Sequence, residues 1–343
     1  MQPELKKVQF LHLPTPLEYL PNISSDLGVD FYIKRDDLTN LGGGGNKLRK
    51  LEYLVADAQS QGATVLLTVG GAQTNHGRLT AAAAAKFGMK CVIVCVDEYP
   101  GELSANLLLD RLMGAEVVLK KNDGRSPQVQ LEETVERVKA RYEAAGEKVY
   151  VIPMGGSNTL GLMGYFDCAA EIVDQAAGLG IREGEIYCAV GSLGTYMGLF
   201  CGLMQLGSHL GLRGISIMPQ PEGFGERLMS YFLDAKTRYG FDFDAGPDSF
   251  KIEGGYTRGA YNAPSPEVRK AVRYMASREG ILLDPCYTGK AFAGMLDMVA
   301  ENKIRRGNTV IFVHTGGMPG LYTKHHRLEF ERELMDGVTI IEC

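Results

Sequence analysis

The sequence has no CxxC pair, no basic cluster, no apolar leader and no Walker A lysine, and each absence removes a class of protein. Seven cysteines at irregular spacing predict neither a disulfide framework nor a zinc site, so no metal is expected and a reducing, cytoplasmic setting fits. Net charge is −5, and Lys120-Lys121 and Arg305-Arg306 are isolated pairs that read as solvated faces. No nucleic-acid footprint follows from such a distribution. The start, Met1 to Lys7, is charged and carries no apolar h-region, which argues against a signal peptide. Ile186 to Ser208 has no formal charge and is long enough to span a bilayer. It contains Gly191-Ser192-Leu193-Gly194-Thr195, however, which would break a lipid-exposed helix. It is read as a buried strand, a loop and a buried helix, with no membrane partner. Repeats, coiled coils and low-complexity segments are also lacking.

The chain that remains has 343 residues, 45% of them hydrophobic and 22% charged, enough for a buried core and about two domains. Short β-branched runs alternate with helical stretches. Strands are predicted at Asp30–Lys34, Thr64–Val69, Cys91–Val96, Glu116–Leu119, Val149–Ile152, Ile186–Val190, Gly214–Met218 and Val310–His314. Helices are predicted at Asn46–Gln61, Asn75–Phe87, Gln128–Ala145, Thr195–Leu210 and Gly289–Asn302. This alternation implies an α/β fold with parallel sheets flanked by helices. Gly223–Gly255 reads as a surface excursion, and the tail after Arg327 as an added helix and strand.

Ligands of such folds bind at the carboxyl ends of strands, and four segments there carry chemistry. Gly42-Gly43-Gly44-Gly45-Asn46-Lys47 lets the backbone turn tightly before a helix with Asn46 as N-cap. Lys47 in the first turn meets the positive end of the macrodipole, which favours the neutral amine that Schiff-base chemistry needs. The plain alternative is a flexible loop before a helix with surface lysines. Gly70-Gly71-Ala72-Gln73-Thr74-Asn75-His76 can bind a carboxylate at a helix N-terminus, or be an ordinary capped turn. Gly191 to Thr195 offers glycines, hydroxyls and N–H groups to a phosphate, although a glycine-rich turn by itself is weak evidence. Asp284-Pro285-Cys286-Tyr287-Thr288-Gly289-Lys290 and His314-Thr315-Gly316-Gly317 supply a ring that can stack on a planar cofactor and a hydroxyl that can meet a ring nitrogen. Each has a packing alternative.

In this order, from Pro14-Thr15-Pro16-Leu17 to about Pro319 and including Tyr150 to Ser157, the segments resemble the fold-type-II pyridoxal-phosphate enzymes. Within them the resemblance is to the D-cysteine desulfhydrase and 1-aminocyclopropane-1-carboxylate deaminase family. It implies a two-domain, tryptophan-synthase-β-like fold, with a large domain of residues 1–49 and 157–343 and a small one of residues 50–156. It implies pyridoxal 5′-phosphate held covalently by Lys47, with Asn75 on its 3′-oxygen, Gly191, Ser192, Leu193, Gly194 and Thr195 on its phosphate, Tyr287 on its ring and Thr315 at its ring nitrogen. Thr74, Asn75 and His76 would bind substrate, and Lys47, Thr74, Tyr261 and Tyr287 would be catalytic. Deaminases of the family carry a glutamate after the stacking tyrosine and a leucine in place of the last threonine. Thr288 and Thr315 here match the desulfhydrase type, while Thr74 replaces the usual serine and would narrow the pocket by a methyl. The implied reaction is α,β-elimination from a small β-substituted amino acid, most simply D-cysteine. A cysteate sulfo-lyase, a deaminase of another small amino acid, and a ligand-binding protein without the cofactor are the alternatives. A homodimer is the expected assembly.

Overall fold

The computed structural model describes residues 5–341, so the charged start at Met1–Glu4 and Cys343 lie outside the described residues. Ten strands occur among them: β1 Leu17–Tyr19, β2 Asp30–Arg35, β3 Val65–Gly70, β4 Lys90–Val96, β5 Glu116–Lys120, β6 Val149–Ile152, β7 Gly184–Val190, β8 Leu210–Ser216, β9 Ile252–Glu253 and β10 Thr309–His314. The helices are α1 Pro21–Leu27, α2 Lys47–Ser60, α3 Asn75–Lys86, α4 Ala105–Leu112, α5 Pro127–Ala144, α6 Met163–Gly178, α7 Gly194–Gln205, α8 Phe224–Tyr239, α9 Pro266–Glu279, α10 Thr288–Ala300 and α11 Lys324–Leu334.

Two sheets form. One has six strands in the order β1-β2-β10-β7-β8-β9, the other four in the order β5-β4-β3-β6. Only β1, against β2, runs antiparallel; all other pairs are parallel. The two-residue side-chain period sorts each strand between faces. Val65 and Leu67 of β3 meet Val135 and Val138 of α5, while Leu66 joins the core that runs through α2, α3, α6 and α7. In β10, Ile311 and Val313 enter that same core, and Val310 and Phe312 turn to the opposite side, against α9 and α10. One apolar core therefore joins both sheets.

Helix α2 lies in that core with Leu48, Leu51, Leu54, Val55 and Ala58 buried, the spacing of one helical face. Beneath its first turn is a buried ionic network. Arg49 donates to Asp36 at 2.7 Å and to Glu171 at 2.7 Å, and Lys34 donates to Glu171 at 2.9 Å. Thr15 and Tyr165 donate to the same Asp36 carboxylate.

Three expectations need correction. Gly223–Gly255 is no simple excursion, since it contains the 16-residue α8, whose Leu228, Phe232, Ala235 and Tyr239 are buried. Phe232 meets Phe200 of α7 edge-on and Phe250 meets it at a tilt; no period in the flanking Gly and Asp residues signals this aromatic cluster. The charged tail forms α11 but no added strand among the described residues. Strand β8 spans Leu210–Ser216, beginning four residues and ending two residues before the predicted Gly214–Met218, where Gly211 and Gly214 mask the pattern. Ile186–Ser208 is a strand, a loop and a helix, and no helix among the described residues is long and apolar enough to cross a membrane.

Candidate active site

Parallel strands of both sheets hand their following loops to a single cavity. It is lined by Asn46, Lys47, Asn75, the Gly191–Leu193 loop, Thr195, Tyr287, Thr315 and Gly316, among others. Strand β10 contributes Thr315, β7 the Gly191 loop, and β3 the turn into Asn75.

The glycine loop is held from both sides. All four glycines Gly42–Gly45 have positive φ, and a Cβ at Gly44 would lie 2.1 Å from the Asp37 carbonyl oxygen. The Asn46 N–H donates to the Thr315 carbonyl at 3.0 Å, and Gly45 pairs with Gly316. The Asn46 side chain does not cap α2; its amide donates to Thr195 Oγ1 at 2.9 Å, tying the glycine loop to the loop after β7. Lys47 thus opens α2 at the cavity wall. Burial lowers its amine to about 8, which brings the neutral form within reach of neutral pH.

The loop after β7 contains a strained residue, Leu193, at φ 67°. Its N–H groups open α7, whose first turn faces the cavity. Behind it is a lysine that sequence reasoning did not single out. Lys50 is fully buried; its ammonium reaches the Gly155 carbonyl at 3.2 Å and Ser157 Oγ at 3.3 Å. Ser157 Oγ in turn donates to Ser192 Oγ at 2.8 Å and accepts from the Gly194 N–H at 3.2 Å. Burial and the adjoining Lys47 push the Lys50 amine well below the lysine range. A bound anion at this loop would restore its charge. The spacing Lys47-x-x-Lys50, one helical turn, is the signal that could have found it.

Tyr287 is set by Asp284, whose carboxylate accepts the N–H groups of Cys286, Tyr287 and Thr288. A Cβ at Gly191 would meet the Tyr287 ring at 3.3 Å, so the ring stands against the loop. Tyr261 and Tyr287 share a hydroxyl hydrogen bond of 2.8 Å. Tyr261 does not line the inner cavity and reaches it only through that bond; it lines an outer cavity of about 530 Å³ with Gln73, Asp97, Ser104 and His325.

Three more expected side chains are not brought to the inner cavity. His76 is buried with Nε2 on Thr68 Oγ1 at 2.8 Å, burial keeps its imidazole neutral, and it does not line the cavity. Thr74 caps α3 through its hydroxyl, and its methyl turns back against Gly77, where a Cβ would lie 2.5 Å away. The extra methyl therefore fills the turn and does not narrow the cavity. Thr288 is fully buried, with its hydroxyl donating to Asp284 at 2.7 Å and accepting from the Asp284 N–H at 2.8 Å. Its hydroxyl braces the Asp284 carboxylate that receives the first N–H groups of α10.

Together an amine near neutrality, a loop of N–H groups and hydroxyls with a buried lysine behind it, an aromatic wall and the Thr315 hydroxyl suit a planar carbonyl compound with an anionic arm. The profile of the family described as pyridoxal-phosphate dependent enzyme matches residues 8–316. A protein of Yersinia enterocolitica named D-cysteine desulfhydrase is 42% identical over 317 residues, 91% of this chain and 93% of the relative. A protein of Pyrococcus abyssi named putative 1-aminocyclopropane-1-carboxylate deaminase is 38% identical over 316 residues, 92% of this chain and 93% of the relative. The crystal structure of an ACC deaminase homologue superposes with a TM-score of 0.83 at 36% identity, covering 98% of this chain and 97% of that one.

Proposed function

The chain belongs to the family of pyridoxal-phosphate dependent enzymes, with pyridoxal 5′-phosphate as its cofactor, and from that premise we propose that it is a carbon–sulfur lyase that converts D-cysteine to pyruvate, hydrogen sulfide and ammonia by α,β-elimination. The observation that carries this reading is Lys47, an amine near neutrality in a cavity whose other polar lining consists of amides and hydroxyls. When bound, the cofactor supplies an electron sink that lowers the barrier to losing the Cα proton. Lys47 would hold the cofactor, and its free amine would take the Cα proton. The Gly191–Thr195 loop, with Lys50 behind it, would hold the phosphate. Tyr287 would back the ring, Asn75 would meet its 3′-oxygen, and the Thr315 hydroxyl would meet its nitrogen. The Tyr261–Tyr287 hydroxyl pair orients the departing group at the mouth. A thiol, with a pKa of about 8.5, leaves as thiolate with little acid help, which agrees with this lining.

The same reading takes the four-stranded sheet as the centre of a small domain, residues 50–156, with residues 1–49 and 157–343 as the large one. It sets the enzyme in a reducing cytoplasm, where the six described cysteines, all buried, stay as thiols, and it includes a homodimer. The Pyrococcus relative's name favours a second reading, opening of 1-aminocyclopropane-1-carboxylate. Since Thr288 is buried against Asp284, Thr315 is the one of the two family markers left at the cavity. A product screen on the purified holoenzyme separates these. Pyruvate from D-cysteine, with little 2-oxobutyrate from the cyclopropane substrate, is expected. The reverse pattern overturns the assignment, and pyruvate from cysteate alone keeps the elimination while changing the leaving group.

A further inference from the structure

Arg78, in the second turn of α3, is fully buried and bonds neutral groups. Its Nε donates to Asn106 Oδ1 at 2.8 Å, Nη2 to the Gly44 carbonyl at 3.1 Å, and Nη1 to the Gly42 carbonyl. Asn106, in the first turn of α4 and 1% exposed, donates from Nδ2 to the Gln73 carbonyl at 2.8 Å and to Asn75 Oδ1 at 2.9 Å. Its backbone N–H donates to Gln73 Oε1 at 3.0 Å.

The polarity of this chain is forced. A guanidinium has donors and no acceptor, so the Asn106 atom facing Arg78 is oxygen. A carbonyl only accepts, so the Asn106 atom facing Gln73 is nitrogen. With both ends of Asn106 settled, the atom of Asn75 that faces it must accept, and is oxygen. The Asn75 NH₂ then points the other way, beside Gly317, where a Cβ would lie 3.0 Å from Nδ2, and Asn75 lines the inner cavity.

We propose that Arg78 and Asn106 are positioning residues that lock the Asn75 amide as a hydrogen-bond donor toward an acceptor oxygen on the bound cofactor's ring. This rests on the cofactor reading above. Arg78 also holds the carbonyls of the loop that leads into Lys47, so one guanidinium registers two of the groups that meet the cofactor.

A hydrogen bond donated to an oxygen favours its deprotonated form. Aspartate at position 106 keeps a partner for Arg78 but removes the donor toward Asn75. Asn75 then turns its nitrogen to the new carboxylate and its carbonyl to the cavity. The test follows the visible absorption band of the bound cofactor through a pH titration of the holoenzyme, for wild type, Asn106→Asp, Asn75→Ala and the double variant. Asn106→Asp is expected to raise the midpoint by about one unit, and to shift nothing in the Asn75→Ala background. If the aspartate variant does not fold, Asn106→Ser removes the same donor and is expected to shift the midpoint in the same direction. An unchanged midpoint, or an equal shift with and without Asn75, overturns the proposal. A wild-type protein without a visible band overturns instead the cofactor assignment beneath it.

Discussion

Reactivity at the residue scale turns on how little water reaches Lys47. Burial brings its amine to about 8, and only the neutral amine attacks an aldehyde. The rate at which cofactor-free protein takes up pyridoxal phosphate is therefore expected to rise with pH and level off just above this value. Stopped-flow absorbance measures it directly. A rate still climbing toward the ordinary lysine range, about 10.4, would show an amine in contact with water. Four glycines before an asparagine and a lysine made this residue legible, because few other uses require that backbone freedom. Lys50 was not legible as a functional group. A second lysine in an amphipathic helix reads as surface, and only packing against Gly155 and Ser157 turns it inward.

At the element scale, α2 carries Lys47 and is pinned by charges one turn below the cavity. Arg49 joins Asp36 and Glu171 where neither Arg49 nor Asp36 meets solvent. Replacing one member leaves the other's charge buried and uncompensated, a loss of about 3–5 kcal/mol. Arg49→Met is expected to lower the Tm of the cofactor-free protein by several degrees, as seen by thermal unfolding, whereas an unchanged Tm would mean the network contributes nothing to holding α2. Strong periods made most elements legible: β3, β4, β7 and β10 carry continuous apolar runs, as buried parallel strands do. The two-residue β9 and the aromatic-rich α8 were hidden, since the partners that order them, β8 and Phe200, are distant in sequence.

For the whole molecule, the cavity draws Asn75 from the end of the four-stranded sheet and Thr195, Tyr287 and Thr315 from the six-stranded side, with Lys47 on the helix between. A ligand that touches all of them stabilises the assembled arrangement over any in which the sheets part. At a hundredfold excess over its Kd, such a ligand adds about 2.7 kcal/mol. Saturating cofactor is expected to raise Tm by several degrees as a single transition, and a rise confined to one of two separate transitions would contradict a shared site. The sequence by itself determined the layered α/β plan and the identity of the cavity-lining loops, because period-two apolar runs and glycine-rich turns are local constraints that each segment carries alone. Tertiary structure decided what each polar side chain does. The hydroxyl of Thr74 became a helix cap, that of Thr288 a brace for Asp284, His76 a buried partner of Thr68, and Asn106 the partner of Asn75. A polar group's role depends on which donors and acceptors surround it once water is excluded, and those arrive from elements far apart in the chain.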